Sequence, residues 1–188
     1  MFNLTSRFQN ATNQALSSSI AISILIIGLT LLQLYKDQVW SIQSTSISNI
    51  KARATLKHSF NYGAAPKKPK ENSKINFDLD ADLSPLFNWN TKQVFVYLTA
   101  EYPGKSDTSS NKITYWDKII TDKDDAKISL RNQASKYSVW DIERSFRSRD
   151  AIVRLEWNIQ PHIGPLIYGE TNSTGAFSFA SLPAPKKA

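Results

Sequence analysis

The chain has 188 residues, a net charge of +7 and no cysteine. This length allows one ordinary domain with an anchor and a linker, and the lack of cysteine excludes disulfides and thiol chemistry. Seven basic residues and one acidic residue lie between Lys51 and Lys74, which leaves the rest of the chain nearly neutral. The charge therefore belongs to one solvated segment, and no nucleic-acid partner is predicted.

The first predicted element is a transmembrane helix. No charged residue occurs from Phe8 to Tyr35, and the run from Ile20 to Leu32 is almost entirely apolar. Residues 16–35 would span about 30 Å as a helix, which is the thickness of a hydrocarbon core. Bulky and charged residues follow at 34–40, where a signal-peptide cleavage site needs small ones. The segment is therefore predicted to remain as a signal anchor after a short N-terminus, residues 1–15.

Four polar side chains of this anchor fall within about 80° of one another on a helix with about 100° per residue. They are Ser19, Ser23, Thr30 and Gln33. Hydroxyl and amide groups can bond across the contact between two membrane helices, so the stripe is predicted to face a partner helix. The alternative is that the hydroxyl groups bond carbonyls of their own helix.

Residues 36–74 are predicted to form a basic stalk with little core, because Ser, Asn and Lys dominate them. The pattern becomes β-like at Ile75. Apolar and polar residues alternate strictly from Ile75 to Leu83, which predicts a strand with one buried face. The run from Val94 to Ala100 is apolar on both faces, as is typical of a central strand.

Further strands are predicted at residues 113–120, 151–159, 166–168 and 176–179, and a helical turn within residues 122–131. Several short strands between Asn, Asp, Ser and Gly connections favour a small β-sandwich. The predicted fold class is mainly β: a sandwich of residues 75–182 tethered by one N-terminal transmembrane α-helix. Residues 183–188 are predicted to fray.

The sequence offers no recognisable chemistry. Asp78, Asp80 and Asp82 resemble the start of a calcium loop, but the positions of its glycine and glutamate hold Leu83 and Trp89. The aspartates are instead predicted to form the solvent face of a strand. His58 and His162 have no third ligand nearby, and no serine lies in a G-x-S-x-G setting. No catalytic residue, metal site or cofactor is predicted.

Three N-glycosylation sequons begin at Asn3, Asn10 and Asn172. The first two sequons lie on the opposite side of the anchor from the third. Only the sequons on one side of the membrane can therefore meet the enzyme that transfers the glycan. Asn172 is the predicted site, in a loop far from the bilayer, if the C-terminal domain is lumenal.

A long block carries a family resemblance. Residues 74–102, KINFDLDADLSPLFNWNTKQVFVYLTAEY, are similar to the signature of the signal peptidase complex subunit 3 family in its fungal form. Shorter blocks at 116–120, 135–143, 157–161 and 168–171 follow in the same order.

The resemblance implies a single-pass type II protein of the endoplasmic reticulum membrane, with its C-terminal domain in the lumen. The charges that flank the anchor slightly favour the reverse orientation. The resemblance is followed here because long domains translocate largely regardless of such charges. It also implies a non-catalytic subunit of a hetero-oligomeric, serine-type signal peptidase complex. The subunit would support the catalytic subunit, beside accessory subunits, in removing signal peptides from nascent secretory proteins.

Aromatic residues of the domain are candidate anchors in its contact with the complex, because interfaces favour aromatic side chains. They are Phe87, Trp89, Trp116 and Trp140. Burial in the core is the alternative for each of them. The alternative function, from another class, is a membrane-tethered lumenal module that binds secretory clients or glycans without serving a protease.

Overall fold

The first element of the structure is a single long helix. The computed structural model describes residues 3–57, 69–104, 109–141, 145–146 and 148–179. Helix α1 spans Leu4–Lys36, so it begins earlier than the predicted anchor at residue 16. It is the one helix of the described chain that is long and apolar enough to cross a membrane, with a mean hydropathy of 2.3 in its most apolar window. Ile24 and Leu32 are 65% and 67% exposed, so α1 is not the buried core helix of a soluble domain.

Two antiparallel sheets follow the helix, and 53% of the described residues lie in their strands. One sheet has the order β1-β2-β5 with β6 also pairing with β2, and the other has the order β4-β3-β7-β8. The predicted β-sandwich is confirmed. The strands are β1 (Thr45–Lys57), β2 (Lys70–Asp82), β3 (Thr91–Pro103), β4 (Ser110–Ile120), β5 (Lys127–Ala134), β6 (Val139–Trp140), β7 (Asp150–Pro161) and β8 (Ile167–Ser178), with 3-10 turns at Val39–Ser41, Ser84–Leu86 and Lys123–Ala126.

The core lies between the two sheets and follows from the period-2 pattern of their strands. Alternate apolar residues of β2, β3 and β7 are fully buried because successive side chains of a strand point to opposite faces. Trp157 on β7 is the largest of these side chains. It lies against Gly169 of β8, where an added Cβ would stand 2.2 Å from Cζ2 of the indole. Glycine at this position therefore makes room for the ring.

The segment predicted as a stalk with little core is partly a strand. β1 pairs with β2 along its whole length, and β2 itself begins at Lys70. Ile47 is 9% exposed, and Ile50 packs on the core. The prediction was wrong here because exposed basic residues on the solvent side of β1 obscure its apolar face. Charged residues of this kind also protect an edge strand against pairing with another chain.

The other strand predictions are largely confirmed, with shifted boundaries. The helical turn predicted within 122–131 is present at Lys123–Ala126, but β5 occupies the following residues. The two strands predicted at 166–168 and 176–179 are parts of the continuous strand β8. The polar residues between them misled the prediction, although β8 pairs with β7 on both sides of an irregularity in register. Residues 183–188 lie outside the described residues.

The three aspartates of β2 lie on the outer face of their sheet, as predicted, and alternate with buried residues. Asp78 accepts a hydrogen bond from the Asn132 backbone N–H at 2.6 Å, which lowers the pKa of its carboxyl group. Arg131 donates to Asp80 and lowers the pKa of that carboxyl group in the same way. These side chains therefore brace the pairing of β2 with β5.

Candidate functional site

The C-terminal part of α1 is joined to the sandwich through one buried asparagine, Asn90, which is 2% exposed. Its Nδ2 donates to Oγ1 of Thr30 at 3.0 Å and to the carbonyl of Ile163 at 2.9 Å. Its Oδ1 accepts a hydrogen bond from the N–H of Ile163 at 3.1 Å. Its carbonyl accepts the N–H of His162 at 2.8 Å. Asn90 therefore ties the helix to the loop between β7 and β8.

The local sequence holds Asn90 in place. Oδ1 of Asn88 accepts the Asn90 backbone N–H at 2.9 Å, and Oγ1 of Thr91 donates to the carbonyl of Leu86 at 3.0 Å. Asn and Thr form such local bonds readily and so stabilise turns. The role of Asn90 as a joint was not predicted. The Asn-Trp-Asn-Thr cluster signals the turn, but the long-range bonds to Thr30 and Ile163 leave no local pattern.

Replacing Asn90 with alanine should loosen this joint. The change leaves two part-buried backbone groups of Ile163 without their partner, and unsatisfied groups of this kind are costly. We expect about 2 kcal/mol less stability, measured as a lower denaturation midpoint of the full chain in detergent. Asn111→Ala, on the edge strand β4, is the matched control. Equal stability of the two variants would mean that the helix docks without this bond.

A cleft adjoins the joint where α1 meets the turns of the sandwich. It has a volume of about 440 Å³ and is lined by Gln33, Asp37, Asp82, Ser84, Pro85, Phe87 and Lys123. Gln33 and Phe87 are both half-buried. They come from different predicted sets, the polar stripe and the candidate aromatic anchors, and the fold brings them together. We call these lining residues the junction cleft.

The remaining residues of the predicted stripe bond within their own chain. The hydroxyl groups of Ser19, Ser23 and Thr30 donate to carbonyls four residues earlier, at 2.8–2.9 Å. Thr30 is also 3% exposed and accepts the bond from Asn90. Thr30 therefore faces the sandwich and not a partner helix. A partner-facing role stays a prediction for Ser19, Ser23 and Gln33.

The candidate aromatic anchors differ in exposure. Trp116 is 7% exposed and packs edge-to-face on Phe77 with ring centroids 6.2 Å apart, so it is a core residue. Trp140 is half-buried on the short strand β6. Trp89 is 58% exposed beside the joint. Trp89 and Phe87 are therefore the two candidate anchors that lie close to Asn90. This end of the sandwich, where α1 joins it, is its membrane-facing end.

An aromatic patch on the outer face of the second sheet was not predicted. Phe95 and Tyr97 stack with their centroids 5.3 Å apart, and Ile119 lies opposite Phe95 on β4. Burial, and then the charge of Glu156, raise the pKa of Tyr97 to about 12. The apolar run of β3 did signal the patch, but it was interpreted as a strand covered on both faces. In the structure the outer side of this strand is only partly covered.

Asn172 does not lie in a loop far from the bilayer. It belongs to β8, and its backbone N–H donates to the carbonyl of Ile42 at 3.2 Å. Ile42 follows the end of α1 by only six residues, so Asn172 lies near the membrane-facing end of the sandwich. Asn172 is exposed, at an irregularity in the pairing of β7 with β8. Its glycosylation stays a prediction.

Comparison with known proteins gives a consistent result over nearly the whole chain. A family model described as "Signal peptidase subunit" matches residues 1–182. A relative from Debaryomyces hansenii is 69% identical over 187 residues, covering 100% of this chain and 98% of the relative. A relative from Yarrowia lipolytica is 49% identical and covers 94% and 96%. One from Saccharomyces cerevisiae is 48% identical and covers 91% and 92%.

All three relatives carry the name "Signal peptidase complex subunit 3". The matched region includes both α1 and the sandwich, so it is not confined to the signature block at residues 74–102. The chain therefore belongs to the signal peptidase complex subunit 3 family.

Proposed function

We propose that this chain is a non-catalytic subunit of the signal peptidase complex of the endoplasmic reticulum membrane. It supports a serine-type catalytic subunit, beside accessory subunits, while signal peptides are removed from nascent secretory proteins. The observation that carries the proposal is the match of nearly the whole chain to relatives named as subunits of this complex, and the joint at Asn90 adds a folded domain fixed to a membrane helix. A domain held in this way can position a partner at the bilayer surface. The alternative module for clients or glycans is not favoured, because the full-length relatives are named as subunits of the complex.

The junction cleft is the proposed contact with a partner subunit. Gln33 offers an amide at the membrane end of the cleft, and Phe87 offers an aromatic side chain at the sandwich end. A partner chain that leaves the membrane beside α1 could bond the first and pack on the second. Amide bonds between membrane helices contribute about 0.6–2 kcal/mol each. Aromatic anchors at an interface commonly contribute more than about 1 kcal/mol.

Copurification of the complex tests this contact. Gln33→Leu with Phe87→Ala should weaken the binding of partner subunits by about 2 kcal/mol, which is roughly 30-fold in affinity. Their recovery on the tagged chain should fall accordingly. Gln14→Leu with Tyr137→Ala likewise replaces one amide and one aromatic side chain, away from the cleft, and should leave recovery unchanged. Equal recovery of both double variants would move the contact elsewhere, and recovery of no protease partner by the wild-type chain would refute the proposed function.

The proposed orientation is type II, with the sandwich in the lumen. In that case Asn172-Ser-Thr174 meets the glycosylating enzyme, and the exposed side chain of Asn172 is open to it. Endoglycosidase treatment should remove the mass of one glycan, and Asn172→Gln should give the same electrophoretic mobility. The double variant Asn3→Gln and Asn10→Gln is the control and should keep the glycan. A glycan lost only in this double variant would reverse the orientation.

A further inference from the structure

The loop between β7 and β8, residues 162–166, lies beside the C-terminal part of α1. Ile27 and Leu31 of the helix line a narrow groove together with residues of the loop. A Cβ added to Gly164 would stand 3.1 Å from Cγ1 of Ile27. Ile27 precedes Lys36, the last residue of α1, by nine residues, which is about 13 Å along the axis. The β7–β8 loop therefore lies well before the C-terminal end of the helix, at the level of residues that precede Lys36 by more than two turns.

That depth lies within the apolar part of the helix. The run from Ile20 to Leu32 has to occupy the hydrocarbon if α1 spans a bilayer, because no other part of the helix is as apolar. Ile27 and Leu31 both belong to this run. Loop residues in contact with them therefore lie at the level of lipid and not of bulk water.

The β7–β8 loop also has a composition that suits lipid. Ile163 and Leu166 are 39% and 49% exposed, and residues 161–169 include no Lys, Arg, Asp or Glu. The N–H and carbonyl of Ile163 both bond to the buried side chain of Asn90. Non-helical backbone at membrane depth requires its polar groups to be bonded within the protein. The Asn90 joint meets this requirement for Ile163.

Aromatic side chains surround the part of the protein where α1 would leave the hydrocarbon of the bilayer. Tyr35, Trp40 and Tyr168 are 78%, 42% and 60% exposed. Nε1 of Trp40 donates to the carbonyl of Tyr168 at 3.1 Å, which connects the turn after α1 to the strand after the loop. Tyrosine and tryptophan are enriched at the boundary between membrane and water. These three residues therefore indicate the level of that boundary.

We propose that the β7–β8 loop inserts Ile163 and Leu166 into the leaflet from which α1 emerges. The chain then has two contacts with lipid, its spanning helix and a shallow loop beside it. Lipid is the occupant because the loop is continuous with the lipid-facing surface of α1 and carries no fixed charge. The contact would form whether or not the chain joins a protease complex.

Site-specific fluorescence tests the insertion directly. The chain has no cysteine, so one introduced cysteine is a unique labelling site. Ile163→Cys and Leu166→Cys would be labelled with an environment-sensitive dye in the full chain, reconstituted alone into phosphatidylcholine vesicles. Ser110→Cys, at the opposite end of the second sheet, is the control. Nitroxides on the acyl chains report contact with lipid, and aqueous iodide reports contact with water.

Insertion predicts several-fold stronger quenching by acyl-chain nitroxides at Ile163→Cys and Leu166→Cys than at Ser110→Cys, with the reverse order for iodide. Two labelled positions keep the result interpretable if one variant folds poorly. Iodide quenching at both loop positions equal to that of the control would overturn the proposal. Protection of both positions only after the other subunits are added would assign the loop to a protein partner, and would also overturn it.

Discussion

Cells depleted of this chain should accumulate secretory precursors that keep their signal peptides, and a chain truncated after Tyr35 should fail to restore cleavage. The truncation keeps the predicted membrane span but removes the sandwich, Asn90 and the sandwich side of the junction cleft. If the chain acts by holding a partner, the anchor alone cannot do so. Pulse-labelling of a secretory precursor gives the fraction cleaved, and we expect restoration by the full chain and none by the truncated one.

Two controls make this result specific. The truncated chain must remain in membranes after alkaline carbonate extraction, since loss of insertion would also abolish function. The full chain with His58→Ala and His162→Ala should restore cleavage, because neither histidine is proposed to act as a base. Normal precursor processing in depleted cells would refute the proposed function. Loss of cleavage in a folded and assembled histidine variant would instead reveal a catalytic role in this chain.

Gly169→Ala should destabilise the sandwich by about 3 kcal/mol, at the upper end of the range for overpacked cores. The added Cβ would meet three atoms of the Trp157 indole within 2.7 Å. Trp157 is fully buried, so the ring cannot swing into solvent. The strand or the ring must therefore shift, and neighbouring core contacts are lost. Chemical denaturation of the full chain in detergent measures the change.

Gly28→Ala is the matched control, because a Cβ at Gly28 meets no atom within 4 Å outside its own stretch of helix. A second substitution identifies the cause. Trp157→Phe, made in the Gly169→Ala chain, shortens the ring and should recover part of the lost stability, which a double-mutant cycle would show as coupling. Additive losses from the two substitutions would mean that Gly169 is required for its backbone and not for the space it leaves.

The sequence predicted those parts of the fold in which one pattern repeats locally. Ile75 to Leu83 alternates because one face of β2 is buried, and the uncharged stretch from Phe8 to Tyr35 predicts a helix that suits the bilayer. β1 was missed because its buried residues are few and basic side chains surround them. β8 was divided in two because the polar residues in its middle, Glu170, Asn172 and Thr174 among them, lie on exposed positions.

The candidate site could be predicted only in part, because it is assembled across long distances in the chain. Gln33 and Phe87 were each singled out, but nothing in the sequence places them in one cleft. Asn90 was missed because its side chain acts through Thr30 and Ile163, which are far from it in sequence. Trp116 shows the opposite error, since an aromatic residue suits a core as well as an interface.

The Asn90 joint also makes the sandwich sensitive to the thickness of the bilayer. The apolar part of α1, residues 16–35, extends over about 30 Å and so matches an average bilayer, whereas it is too long for a thinner one. A long helix accommodates a thin membrane by tilting. Because Thr30 is bonded to Asn90, a change in the tilt of α1 would rotate the whole sandwich relative to the membrane plane. Lipid composition would then set the angle at which the domain meets its partners.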